Sequence, residues 1–426
     1  MERKIIQVEE RPPLALNIPL SIQHLFAMFG STVLVPFLFN VSPTTCLFMN
    51  GIGTLLYLFI TKGRIPSYLG SSFAFISPVL AIMATSSYHD AQSGFIVFGI
   101  IFILFSALIK ATGTGWIDVI FPPACMGAII AVIGLELAPT AASMAGLTGE
   151  NINPDHIIVS MFTLCVTIIG SVAFRGFLAI IPVLFGVICG YILALFMGLV
   201  DLTPVINAPW FQLPHFYSPV FNLDAILIIA PAALVVLAEH IGHLVVTGNI
   251  VDRNLIKDPG LSRSLFADGC SNILSGFFGA TPNTTYGENI GVMAITKVYS
   301  VWVIGGAAVF AILLSFIGKL SELIHSIPVP VMGGVCILLF GVIAASGLRV
   351  LVESKVDYSK SSNLVMTAVI MIIGLSGAKL TFGTISVQGM VLATLVAILL
   401  SVTFKILDRL GFLNHIKKLI KIKVLL

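Results

Sequence analysis

Charge is what this 426-residue chain lacks most: Asp, Glu, Lys and Arg together make up only 10% of it, against roughly 25% in an ordinary soluble domain. So few charges cannot cover a water-facing surface, which excludes a soluble globular enzyme. A hydrophobic content of 58% excludes a disordered chain. Cysteine is sparse too. Cys46, Cys125, Cys165, Cys189, Cys270 and Cys336 stand singly in apolar stretches, with no CxxC or Cys/His ligand spacing. They read as small apolar residues, and no disulfide framework is expected. The opening MERKIIQVEERPPL has no apolar run before Pro12, so no cleavable signal peptide is expected. There is no Walker loop, dinucleotide fingerprint or GxSxG elbow, and no segment long enough to hold an ATPase domain. Transport must then draw on an ion gradient or run downhill. A net charge of +3 points to no nucleic-acid partner.

Apolar runs long enough to cross a bilayer, which needs about 20 residues, are abundant. They fall near 18–39, 45–61, 65–85, 94–112, 121–138, 157–174, 178–200, 224–248, 264–279, 281–297, 301–318, 328–347, 363–379 and 387–407. The expected fold class is an all-α polytopic membrane protein with 14 transmembrane spans. If the N-terminus is cytoplasmic, 20 of the 22 Lys and Arg residues lie on the cytoplasmic side, and only Lys319 and Lys379 lie outside. Both termini are then cytoplasmic. Residues 411–426 form a basic tail, read either as an amphipathic helix on anionic lipid or as a disordered end.

The two halves resemble each other. Gln23-His24 in the first span matches Glu239-His240 in the eighth, Leu47–Gly51 in the second matches Leu265–Gly269 in the ninth, and Met126-Gly127 matches Met332-Gly333, at offsets of 216, 218 and 206 residues. An odd number of spans per repeat inverts the second copy, which predicts two inverted 7-span repeats, the plan of secondary transporters. Spans 3 and 10 are the weak ones. Span 3 carries Gly70-Ser71-Ser72-Phe73-Ala74-Phe75 and then Ser77-Pro78; span 10 carries Thr281-Pro282-Asn283-Thr284-Thr285-Tyr286-Gly287-Glu288-Asn289. Small and β-favouring residues followed by an apolar run predict a short extended piece leading into a half-helix. Two such pieces meeting as antiparallel β would satisfy each other and turn helix N-termini toward a cavity. Two continuous, tightly packed helices rich in small residues remain the other reading.

Ionisable groups within spans are costly and usually functional. His24, Glu136, Glu239, His240, His243 and Glu288 are the candidates. Glu239 and His243 share a face at i,i+4, and Glu288 lies beside the break in span 10. A carboxylate beside an imidazole suits coupling proton movement to substrate binding. Tying helices together by hydrogen bonds is the alternative use of Glu239 and His243. His240 points off the Glu239 face and reads as a packing residue, Glu136 as a solvated helix-end residue, and His24 as a helix–helix hydrogen bonder. Glu239-His240-x-x-His243 is not the HExxH order of zinc proteases and has no third ligand signalled nearby, so no metal site is expected.

Glu288-Asn289-Ile290-Gly291, four residues, then Thr296-Lys297 resembles the signature of the nucleobase–ascorbate transporter family, [Gln/Glu]-Asn-x-Gly-x4-Thr-[Arg/Lys/Gly]; Gln23-His24 resembles its Gln-His motif. The likeness runs over nearly the whole chain. Ser71-Ser72-Phe73, Ala238–His243 and Asn283–Asn289 are most similar to bacterial members that import uracil; purine carriers usually have Gln where Glu288 stands. The resemblance implies a core domain of 1–120 and 216–322 (spans 1–4 and 8–11) and a gate domain of 121–215 and 323–410 (spans 5–7 and 12–14). It also implies a homodimer formed through the gate. The implied activity is proton-coupled uracil symport into the cytoplasm across the bacterial inner membrane, with protons as coupling ion and no cofactor. By carry-over, Glu239 and Glu288 accept the ring N–H groups, backbone N–H groups of Phe73 and Gly287 donate to the ring carbonyls, His243 links Glu239 to the proton, and Tyr286 lines the pocket. Ser31, Ser72, Asn289 and Phe340 are its supporting residues; some relatives carry Ala where Ser31 stands and Tyr where Phe340 stands. Proton coupling is assigned to Glu239, His243 and Glu288. Independently, uracil alternates N–H donors and C=O acceptors around a flat ring, which carboxylates and backbone N–H groups complement and an aromatic such as Phe73 covers. The rivals are a purine or xanthine carrier of the same family and an anion transporter or channel of the same fold, which would favour a basic residue beside the breaks. An intramembrane hydrolase would need an activated nucleophile or a metal, and neither is signalled.

Overall fold

The computed structural model describes residues 5–149, 152–176, 178–382 and 385–412. The tail from 413 onward lies outside them, as does the side chain of Ser31. The chain is mostly helical. It divides by its contacts into two compact units, one of Met1–Ala111 and Leu137–Val342, the other of Thr112–Glu136 and Ile343–Leu426. This division is distinct from the core and gate expected from the resemblance.

The first expected span is two helices, α1 (Leu14–Ala27) and α2 (Phe29–Leu38), separated at Met28, whose ψ of 2° leaves the helical range. Next come α3 (Pro43–Ile60), opened by proline at its first position, strand β1 (Leu69–Ser71), a single 3-10 turn (Phe73–Phe75), α4 (Ile76–Met83) and α5 (Tyr88–Thr112). After α6 (Ile117–Ile120) and α7 (Pro123–Glu136) follow α8 (Ala138–Met144), α9 (Pro154–Ala173), α10 (Pro182–Phe196) and α11 (Thr203–Asn207). The second half runs through α12 (Leu223–Ile229), α13 (Ala232–Val251), α14 (Leu261–Phe278), strand β2 (Asn283–Thr285), α15 (Gly287–Thr296), α16 (Val301–Leu314) and α17 (Gly318–His325). The chain ends with α18 (Val329–Glu353), α19 (Ser361–Leu375), β3 (Lys379–Phe382), β4 (Ile385–Gln388) and α20 (Gly389–Arg409). Among the described residues, 8 helices or helix pairs are long and apolar enough to cross a membrane unaided, and shorter apolar helices stand at Phe73–Met83, Pro182–Phe196, Val301–Leu314 and Ser361–Leu375.

In the first unit β1 and β2 pair antiparallel, Leu69 opposite Thr285, Gly70 opposite Thr284 and Ser71 opposite Asn283. The pairing satisfies backbone groups that no helix serves, and α3 and α14 supply the rest. Thr54 of α3 accepts from the Leu69 N–H at 2.9 Å, and Asn272 of α14 accepts from the Asn283 N–H at 2.8 Å while donating to its carbonyl at 2.8 Å. The α14 helix runs antiparallel to α5. They touch at Gln92–Gly276, Gly99–Gly269 and Ser106–Ser262, a spacing of seven residues on each helix. At the middle contact a Cβ on Gly99 would stand 2.6 Å from the Gly269 carbonyl oxygen, so only glycine permits this approach.

The N-terminal segment straps the end of α15. The Ile6 N–H donates to Lys297 O at 3.1 Å, Tyr299 N–H donates to Ile6 O at 2.9 Å, and Val301 N–H to Val8 O at 2.9 Å. Glu9 pairs with Arg253, which holds its carboxyl below the ordinary value, and Arg11 lies 4.7 Å over the Trp302 ring.

In the second unit α7 packs against α19 and α20. Glu136, expected as a solvated end residue, instead accepts the Met390 N–H at 2.8 Å, at the uncapped start of α20. A β3–β4 hairpin, Lys379 opposite Gln388, precedes that helix.

Candidate functional site

The site residues gather where α13, β2 and α15 meet, beside β1 and the 3-10 turn. The α15 helix is ten residues long. Its opening N–H groups have no intrahelical acceptor, and Tyr286 at its N-cap supplies no side-chain cap. Glu288 stands in that first turn, partly buried, where the helix dipole favours negative charge.

Glu239 and His243 lie on successive turns of α13, which packs against both β2 and α15, the helix that carries Glu288. Glu239 Oε2 is buried and has no hydrogen-bond partner among the described residues. Leaving such an atom unpaired costs on the order of 1–3 kcal/mol or more. The Tyr286 hydroxyl is likewise buried and unpaired.

His243 Nδ1 lies 2.7 Å from the Thr285 carbonyl oxygen. A carbonyl only accepts, so Nδ1 carries the hydrogen and Nε2 of the neutral ring holds the free lone pair. That nitrogen faces Gly287, where an added Cβ would stand 3.3 Å from it. The imidazole can therefore take or release a proton at Nε2 while its other side stays anchored to β2.

Phe73 opens the 3-10 turn and packs edge-on against Phe340, ring centroids 6.0 Å apart at 84°. Ser72 accepts from the Ala74 N–H at 3.4 Å, capping that turn. Tyr286 packs against Gly70, where any Cβ would stand 2.5 Å from its ring. Asn289 donates to His24 Nδ1 at 3.1 Å and to His24 O at 3.2 Å, tying α15 to α1. Ser31 falls within α2.

The candidate list drawn from sequence omits Asp268. This carboxylate is fully buried in α14. It accepts from Thr284 Oγ1 at 3.0 Å and Asn272 Nδ2 at 3.0 Å, and His240 Nδ1 lies 2.9 Å from it. His240 Nε2 meets Ser264 Oγ at 2.7 Å, which meets the Tyr57 hydroxyl at 2.6 Å. His240 is thus a member of a buried polar network, not a simple packing residue. A carboxylate inside the apolar run 264–279, four residues before an asparagine, was the signal. Among the described residues no cluster of three His, Cys, Asp or Glu could hold a metal.

Helices long and apolar enough to cross a membrane, a pair of short antiparallel strands between helices and a buried, unpaired Glu239 oxygen define a membrane carrier. The family model Xan_ur_permease, described as a permease family, matches residues 16–383, and the chain belongs to this nucleobase–ascorbate transporter family. It is a transporter, not an enzyme. It is 64% identical over 411 residues to the uracil permease of Escherichia coli K12, covering 96% of each chain. It is 61% identical over 421 residues to the uracil permease of Paenibacillus larvae, covering 97% of this chain and 100% of that one. Its fold is similar to the transmembrane domain of a cyanobacterial bicarbonate transporter, BicA, with a TM-score of 0.63 at 15% identity over 94% of this chain and 100% of that one.

Proposed function

We propose that this protein is a proton-coupled symporter that imports uracil across the bacterial inner membrane by alternating access. The unpaired Glu239 Oε2 carries the reading. Glu239 and Glu288 accept the two ring N–H groups, and the backbone N–H groups of Phe73 and Gly287 donate to the ring carbonyls. Phe73 and Tyr286 cover the flat ring. His243, its Nδ1 anchored on Thr285, passes the proton at Nε2 to the acidic pair, with no cofactor. Protonation on the outside favours the loaded, inward-moving state, and deprotonation in the cytoplasm releases substrate. The names of the relatives support uracil as cargo.

The chain crosses the membrane 14 times as two inverted 7-span repeats, with both termini cytoplasmic; the separation of Lys and Arg, 20 against 2, supports that count. Side-chain pairing supports the repeat. Asn50 of α3 donates to Ser71 of β1 at 3.5 Å, and Asp268, its counterpart in α14, accepts from Thr284 of β2. Spans 1–4 and 8–11 form the core, and spans 5–7 and 12–14 the gate, which also joins two copies in a homodimer.

Binding of a nucleobase panel to the detergent-solubilised full chain at two pH values tests the reading. Uracil is expected to bind and xanthine is not, with uracil tighter at the lower pH. Xanthine binding as tight as uracil would overturn the cargo, and pH-independent affinity the coupling.

A further inference from the structure

Where α3 and α5 end and α14 begins, a groove of about 930 Å³ lies on the first unit. Phe59, Ile103 and Phe266 give it apolar walls, and Phe59 is 81% exposed. Lys62, Lys110 and Arg263 line the same groove, and no carboxylate does. None of these three cations has an ion-pair partner among the described residues. Of the two acids nearest in sequence to Arg263, each five residues away, Asp258 is held by Arg64 through bonds of 2.6 and 2.7 Å, and Asp268 is buried and accepts from Thr284 and Asn272.

The polar groups of the floor need nothing from outside. Ser106 Oγ donates to Ser262 O at 2.6 Å, closing the α5–α14 contact there. What remains unsatisfied is positive charge at one rim and exposed apolar surface below it. Lys62 stands just past the Thr61 C-cap of α3, Lys110 sits in the last turn of α5 and Arg263 in the first turn of α14. All three are therefore at the level of helix ends, and all belong to the cytoplasmic set of Lys and Arg. Soluble anions would leave the apolar walls uncovered; a neutral lipid would leave the cations unpaired. Both are answered by one molecule with acyl chains and a phosphate that carries a net negative charge.

We infer that this groove binds an anionic diacyl phospholipid of the phosphatidylglycerol type, its phosphate against Lys62, Lys110 and Arg263 and its acyl chain along Phe59, Ile103 and Phe266. The site is separate from the substrate residues and does not depend on which base is carried.

The test is binding of fluorescent phosphatidylglycerol and fluorescent phosphatidylcholine to the full chain in detergent, by thermophoresis. Phosphatidylglycerol is expected to bind more tightly. Each single change, Lys62→Gln, Lys110→Gln or Arg263→Gln, should weaken it about fivefold, and the triple change about a hundredfold. Lys405→Gln, a lysine away from the groove, should leave it unchanged. A Tm of the triple variant equal to that of the parent chain reports that it is folded. Equal affinity for both lipids, or undiminished affinity in a folded triple variant, would overturn the proposal. So would displacement by glycerol phosphate as effective as by unlabelled lipid, because the site would then be one for a small anion.

Discussion

The arm running from β1 into α4 and the arm running from β2 into α15 share one scaffold, a three-residue strand leading into a short helix, yet they divide the chemistry unequally. The first arm is apolar beyond its serines; Ser72 caps its own turn, and Phe73 offers a ring and a backbone N–H. The second has no side-chain cap and places Glu288 in its first turn, Tyr286 before it, Gly287 against His243 and Asn289 on His24. The two arms therefore share a backbone plan while their side chains specialise. One arm is largely apolar, and the other carries Glu288 and lies against His243. Changes in the second arm and its support from α13 and α14 should alter affinity and coupling; changes in the first should act through fit.

The largest expected effect separates coupling from binding. His243→Ala should cut proton-driven uracil uptake in vesicles by more than about tenfold, while uracil affinity by calorimetry changes far less. Equal losses in both would make His243 a ligand of the base and not a proton carrier. Next is the support behind the second arm. Asp268→Asn replaces an acceptor facing Thr284 and His240, and should cost about 2 kcal/mol, seen as a drop in Tm. An unchanged Tm would show that the network is dispensable. On the first arm, Gly70→Ala pushes a methyl into the Tyr286 ring, which is only 4% exposed and cannot retreat. A cost of about 1–3 kcal/mol and roughly tenfold weaker uracil binding are expected; an unperturbed affinity would remove Tyr286 from the pocket. The smallest effect is at the strap that fixes the end of the second arm. The Glu9 carboxyl is held below its ordinary 4.5 by Arg253. Its contribution is therefore present above that value and fades as pH falls through the lowered one. Glu9→Gln should lower stability slightly at neutral pH, by about 0.5 kcal/mol, seen as a small drop in Tm, and not at acid pH.

Much of this was legible in the chain because the membrane makes polar residues conspicuous. Glu239, His243 and Glu288 stand out in apolar runs, and the Ser, Thr, Gly and Pro residues around 70–78 and 281–289 mark the places where helix gives way to strand. Asp268 escaped because its run was read as an ordinary span, although its match to Asn50 pointed at the same place. The Asn289–His24 bond joins residues 265 apart, a distance at which spacing carries no information. The strap of Ile6 and Val8 on Tyr299 and Val301, and the Glu136 bond to Met390, are tertiary choices that periodicity does not encode. Helix ends also moved: α5 begins at Tyr88 and α18 continues to Glu353, beyond the apolar windows, because helical hydrogen bonding outlasts hydrophobicity.

The central claim is that a carboxylate at the start of α15 holds the base. Calorimetry of uracil binding to Glu288→Gln tests it directly, because the amide keeps the shape and removes the charge. A loss of affinity of about tenfold to a hundredfold is expected from one charge-assisted hydrogen bond; affinity equal to the parent chain would contradict the account.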